Sequence, residues 1–256
     1  MKKAIRTLLL IICVAVFCYS GYQLISIYFD YKKIDDTYDG IAEEYTQPAV
    51  ETEEGESYLD IDWNSLLSRN SDVKAWIQIP DTNVNYPVLQ GKTNDTYIHS
   101  DLDGNDLNAG SIFIASENQN PFTDINTVIY GHNMKNGSMF HDIKSYTDQQ
   151  FADEHPYIYI YLPDGTVSEY KVISAHIISE TSVLYNTNIV NIQDFYQEML
   201  KGNDIFADFD QNSNLPVITL STCTSGGGEN GKRNVIHAVL QRSQIEPKTE
   251  KMKKSA

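Results

Sequence analysis

Three side chains in this sequence combine reactive types with suggestive positions: Cys223, Arg233 and His132. Leu220-Ser221-Thr222-Cys223 closes an apolar β-like run and is followed by the glycine-rich loop Thr224 to Lys232. A second β-like run starts near Asn234, so Arg233 stands at its entrance. Neighbouring strands can set such a thiol and guanidinium side by side. Thiolates are strong nucleophiles, and a fixed positive charge nearby favours the charged form. The planar fork of an arginine can also hold a carbonyl or a developing oxyanion. His132 follows the run Val128-Ile129-Tyr130 and the turn residue Gly131, where an imidazole can overhang a cleft and move protons. Each residue alone also fits a plain structural role, because free cysteines and lone histidines are commonly buried and satisfied.

Other chemistries fit less well. Gly226 to Lys232 matches the spacing of a phosphate-cradling loop, but Arg233 stands where a magnesium-binding Ser or Thr is needed, and a strand pattern follows instead of a helix. No Cys/His spacing fits zinc and no acidic pattern fits a calcium loop, so no metal or cofactor is expected. The chain carries 19 basic and 35 acidic side chains, a formal charge of −16, without a basic stripe. That balance argues against a nucleic-acid partner. His237 alternates with Val235 and Val239 and reads as structural, while His99, His141, His155 and His176 show no partner pattern.

The elements that must hold these residues are mostly short strands. Alternation and turn signals mark them at Ala75–Ile79, Val84–Leu89, Ser111–Ala115, Thr127–Tyr130, Tyr157–Leu162, Val167–Ile178, Pro216–Thr222 and Asn234–Gln241. Asp164-Gly165 reads as a hairpin turn. Helices are expected at Asp62–Asn70, with Asp62 as cap, and at Asn191–Lys201, where Ile192, Phe195, Tyr196 and Met199 share one face. Eight strands with few helices point to an antiparallel-rich barrel or sandwich.

The flanks differ in composition. Residues 1–29 join a basic end (Lys2, Lys3, Arg6) to an apolar run long enough to span a bilayer, without a small-x-small cleavage site. This predicts an uncleaved, single-pass signal-anchor with a cytoplasmic N-terminus and an extracellular remainder. Residues 30–57 are acidic and read as an extracellular linker, 58–242 as the catalytic-size domain, and 243–256 as a disordered tail. Cys13 and Cys18 fall inside the apolar run, so Cys223 is the one cysteine of the exported part. It is buried and inert, paired between molecules, or a nucleophile.

Taken together, these segments resemble the sortases, membrane-anchored cysteine transpeptidases of Gram-positive cell walls. Thr219-Leu220-Ser221-Thr222-Cys223 matches the family's T-L-x-T-C motif, with Arg233 and His132 at the other two motif positions. Asn85 to Gly91, Gly110-Ser111-Ile112-Phe113, Tyr130-Gly131-His132 and the helix before the cysteine strand resemble class B in particular. The resemblance spans roughly residues 60 to 242 and implies an eight-stranded β-barrel with an N-terminal helix. It implies that Cys223 forms a thioacyl bond to the Thr of a C-terminal sorting signal, His132 moves protons, and Arg233 steadies the oxyanion. The implied partners are surface proteins bearing that signal, a peptidoglycan-precursor amine, and the membrane through the N-terminal helix. Asn94, Ile98, Tyr130 and Ser221 match positions lining the sorting-signal groove, and Leu184 and Tyr185 are expected to add an apolar wall. Some class B members have an acidic residue directly after the cysteine; this chain has Thr224. A thiol hydrolase and a membrane-tethered binding module with an inert cysteine are the competing readings.

Overall fold

Tyr157 to Tyr161 alternates tyrosine with isoleucine, and in the computed structural model it forms a strand whose Ile158 and Ile160 are fully buried while Tyr157 faces solvent. The same two-residue logic builds most of the chain. The structure describes residues 2–51, 57–225 and 227–245. Its elements are α1 (Lys2–Tyr45), β1 (Thr46–Glu51), β2 (Ser57–Ile61), α2 (Trp63–Arg69), β3 (Val73–Gln78), β4 (Asn85–Leu89), β5 (Ile112–Ile114), β6 (Asn126–Tyr130), α3 (Gln149–Glu154), β7 (Tyr157–Tyr161), β8 (Thr166–Ser179), α4 (Ile192–Leu200), β9 (Val217–Cys223) and β10 (Lys232–Ile245).

Strands β3 to β10 close into one eight-stranded barrel in the order β10-β8-β7-β3-β4-β5-β6-β9. Closure removes free sheet edges, and the inward faces supply the core. Two of the pairings, β4–β5 and β6–β9, are parallel; the others are antiparallel. The strand count left a barrel or a sandwich open, and the barrel that the resemblance implies is the one observed. Both expected helices form as well: the Asp62 side chain accepts from Ser65 N–H, and that of Asn191 accepts from Gln193 and Asp194 N–H. Helix α4 lays Ile192, Phe195, Tyr196 and Met199 onto a core cluster with Ile173, Val217 and Val239. Burial of one such side chain contributes roughly 1.5–3 kcal/mol, which fixes the helix beside the end of β9.

Two expectations change, and one helix is added. Residues 30–57 do not form an irregular linker: α1 runs on to Tyr45, and β1 and β2 pair as an antiparallel ribbon. Ile34, Tyr38, Ile41 and Tyr45 recur at helical spacing there, a stripe masked by the surrounding charge. Residues 52–56 of that stretch lie outside the described residues. At the other end, Ser243, Gln244 and Ile245 continue β10 and pair with Ser168, Val167 and Thr166, because the long β8 offers them partners. The rest of the expected tail, residues 246–256, lies outside the described residues. Finally α3, with Asp148 capping Phe151 N–H, is too short to show a period in sequence.

The chain divides into two compact units, Met1–Ile41 and Ala42–Ala256. Within α1, Lys3–Tyr45 is long and apolar enough to cross a membrane by length and composition.

Candidate active site

Strand register, more than any loop, assembles the candidate residues. In the antiparallel β9–β10 pair, Cys223 stands directly opposite Arg233. In the parallel β6–β9 pair, Tyr130 aligns with Ser221, a pairing closed by Gly131 N–H donating to Ser221 O at 3.2 Å. His132 lies two residues past Tyr130 and Cys223 two past Ser221, and both line one cleft. Opposed residues share a face of a sheet, so Cys223 and Arg233 do, and an offset equal to that of Tyr130 and Ser221 puts His132 in a row with them. All three line a cleft of about 210 Å³, together with Asn94, Ile98, Tyr130 and Ser221.

The row is held from behind. The Cys223 carbonyl accepts from Asn133 Nδ2 at 2.8 Å and from Asn234 Nδ2 at 3.2 Å, one amide from each flanking segment. The sulfur itself is half-buried at the end of β9. A side chain at Gly228 would start 3.6 Å from Cys223 Sγ and 3.9 Å from Arg233 Nη2, so glycine there keeps the space beside both groups open. Arg233 Nη1 donates to the carbonyls of Gly228 (3.3 Å) and Lys232 (2.9 Å), and Nη2 to Glu180 Oε2 at 2.6 Å.

His132 is fixed on the other side of the sulfur. Its Nε2 lies 2.7 Å from Ile98 O. A carbonyl only accepts, so Nε2 carries the proton and Nδ1 is left for proton transfer. The ring stacks on His99 with centroids 5.5 Å apart and planes 19° from parallel. Burial holds the His132 imidazole below its ordinary value; the Ile98 carbonyl opposes this and His99 adds to it. Gly131 is required by close approach, since a Cβ there would sit 2.5 Å from Ile112 Cδ1 and 2.8 Å from the Phe140 ring.

The expected groove residues divide. Ile98 and Ser221 line the cleft. Tyr130 lines it with its ring against Phe113 (5.5 Å) and Tyr185 (6.0 Å), and burial pushes its phenol up. Tyr185 reaches Ser221 Oγ through its hydroxyl at 2.8 Å; burial pushes this phenol up to about 12 against the effect of that bond. Asn94 lines the wall with its amide already engaged: Oδ1 accepts from Ser116 N–H at 2.8 Å, and Nδ2 donates to both Glu117 oxygens at 3.0 and 3.2 Å. Leu184, expected in the wall, is instead 3% exposed and packs into the core with Ile173, Phe195 and Met199. In the single turn Val183–Tyr185, the leucine is buried and the tyrosine only partly so, while Val183 is exposed.

That turn is pinned by a buried amide. Asn126 Nδ2 donates to Leu184 O (3.1 Å) and Asn186 O (3.0 Å), while its Oδ1 accepts from Thr219 Oγ1 at 2.7 Å. The Thr219 hydroxyl proton is thereby used, so His237 Nδ1, 2.9 Å away, is the donor in that contact. Of the residues that sequence reasoning missed, Asn133 and Asn234 each directly follow a singled-out residue, a repetition visible in the sequence. Glu180, lying 53 residues from its partner, carries no such signal.

Residues 77–241 match the model of the Sortase domain family. The chain is 32% identical over 244 residues to Sortase B of Listeria monocytogenes serovar 1/2a, covering 93% of this chain and 98% of that protein. Among solved structures, the Staphylococcus aureus sortase B–substrate complex matches with a TM-score of 0.70 at 26% identity, covering 84% of this chain and 99% of the other. A sortase B complexed with triglycine matches with a TM-score of 0.64 at 32% identity, over 70% and 85% of the two chains.

Proposed function

This chain belongs to the sortase family, class B, and is a cysteine transpeptidase; from that premise we propose that it joins proteins bearing a C-terminal sorting signal to a peptidoglycan amine. Cys223 is the nucleophile, His132 the proton carrier and Arg233 the oxyanion donor. The thiolate attacks the carbonyl of the signal's Thr, a C–S bond forms and the C–N bond breaks. In the reacting form the thiol proton has passed to His132 Nδ1, and the leaving amine takes it from there. An incoming amine then attacks the thioacyl carbon, gives a proton back to His132, and displaces the sulfur. Burial disfavours the imidazolium that this proton transfer requires.

The observation that carries this reading is the row of His132, Cys223 and Arg233 at the mouth of one cleft. Tyr130, Ser221, Ile98, Asn94 and Tyr185 form the walls for the signal, with no part for Leu184. The matched relative bound to triglycine supports an oligopeptide amine as acceptor. Helix α1 anchors the enzyme, with Lys2, Lys3 and Arg6 on the cytoplasmic side and residues 58–242 working outside as the catalytic domain.

The test uses the full chain in detergent, mixed with Thr-Gly and Thr-Asn sorting peptides, with and without triglycine. Mass spectrometry of the Cys223 peptide should show an acyl adduct that moves to the added amine. An adduct that only hydrolyses indicates a thiol hydrolase. An unreactive thiol with every peptide would return the molecule to a binding role.

A further inference from the structure

Arg233 faces two ways. Toward β9 it opposes Cys223, and toward β8 it opposes Ile178 in the antiparallel β8–β10 pair. One step beyond the end of β8, Glu180 N–H donates to Gly231 O at 2.9 Å and prolongs that ladder. Glu180 therefore lies on the same face as Arg233 and diagonal to it, a separation that long side chains can bridge. Gly231 stands directly between them and contributes no side chain. The Glu180 carboxylate fills that space, with Oε1 3.7 Å from where a Cβ on Gly231 would be. Its Oε2 meets Arg233 Nη2 at 2.6 Å.

A guanidinium has five N–H donors in a rigid plane. Gly228 O and Lys232 O take both protons of Nη1, and Glu180 takes one of Nη2. Among the described residues, this leaves the Nε–H and the second Nη2 proton for a substrate. The guanidinium is thus anchored at both terminal nitrogens, and the contact with the carboxylate is the charge-assisted, stronger one. The Arg233 side chain is only 22% exposed, so it has little freedom to find another orientation.

We propose that Glu180 is a positioning residue for the transpeptidation reaction: its carboxylate fixes the Arg233 guanidinium so that its unpaired donors face the carbonyl attacked by Cys223. The inference rests on the role proposed above for Arg233. The carboxylate beside Arg233 comes from the residue just past the end of β8.

The test compares the native full chain in detergent with Glu180→Gln, Glu180→Asp, Arg233→Ala and the double variant Glu180→Gln/Arg233→Ala. Each is assayed for turnover of the Thr-Gly and Thr-Asn peptides and for iodoacetamide alkylation of Cys223 at fixed pH. Glu180→Gln should lower kcat by about tenfold to a hundredfold, the scale of a misplaced reacting group, with KM within about twofold and unchanged thermal unfolding. Glu180→Asp keeps the charge but is one methylene shorter, so its kcat should fall between native and Gln. With its counter-charge gone, Arg233 should speed alkylation in Glu180→Gln. In the Arg233→Ala background the Gln substitution should add less than about twofold to either readout, because its effect passes through the arginine. A Glu180→Gln enzyme with near-native kcat, or a loss that adds in full to that of Arg233→Ala, overturns the proposal. If Arg233→Ala itself turns over normally, the failure lies in the functional assignment, and the alkylation comparison still reports whether Glu180 is coupled to the thiol.

Discussion

The two sides of the cleft are built on different terms. His132, Cys223 and Arg233 stand on or next to β6, β9 and β10, and backbone pairing sets their relative positions. Asn94, Ile98 and Tyr185 come from irregular segments and a single turn, held by side-chain contacts such as Asn94 with Glu117 and Asn126 with the Leu184 carbonyl. On the proposed roles, the chemistry sits on the strand frame, while Asn94, Ile98 and Tyr185 put part of the recognition on pieces that can differ without disturbing it.

The largest expected effect tests the frame side. Arg233→Lys keeps a positive charge but loses the fork, and the lost oxyanion stabilisation should be about 3–4 kcal/mol, or 10²–10³ in kcat. Near-native kcat in that variant would falsify the division, since charge alone would then suffice.

Next comes the barrel interior beneath the row. His237 is fully buried and its pKa is lowered from 6.5 to about 3, chiefly by burial, with His176 adding to the effect. The native state keeps it neutral while the unfolded chain protonates near 6.5. Its stabilising contribution is therefore complete above pH 6.5 and is lost as pH falls toward 3, by at most about 1.4 kcal/mol per pH unit. Urea midpoints at pH 7.5 and 5 should differ less in His237→Gln than in the native chain. An equal difference would remove His237 as the cause.

A smaller effect is expected from the amides behind the nucleophile. Asn133→Ala and Asn234→Ala each remove one hydrogen bond from the Cys223 carbonyl, about 1 kcal/mol apiece. The loss should appear in kcat at constant KM, as for other frame residues. A rise in KM instead would mean that the frame also recognises substrate.

The smallest effect belongs to the loop wall. Tyr185→Phe loses the bond to Ser221 Oγ but keeps the ring beside Tyr130, so KM should rise a few-fold, under about 1 kcal/mol, with kcat preserved. A fall in kcat at constant KM would move Tyr185 to the other side of the comparison.

The same division explains what the sequence made legible. All eight barrel strands and both capped helices follow from two-residue alternation, helical spacing and cap residues, which are local properties. Cys223, Arg233 and His132 were legible because each sits at a strand boundary marked by glycine. Leu184 was misjudged because an apolar residue before a tyrosine says nothing about which of the two turns inward. Glu180 and the Asn126 network were invisible because their partners lie 53 to 93 residues away and meet only across the closed barrel. The continuation of α1 past residue 30 was hidden for another reason: a narrow stripe was diluted by acidic neighbours.

The parallel pairing of β6 with β9 also bears on the order of folding. Asn126 meets Val217 only after the 90 residues between them have found their own places, and parallel contacts of that span form late. The hairpin joining β7 to β8 can form early, being local. During refolding, peptide cleavage should therefore appear only with amide protection on β6 and β9, well after protection on β7. On the proposed roles, Cys223 would be without His132 in its cleft until that late step, and the partly folded chain would not cleave peptide.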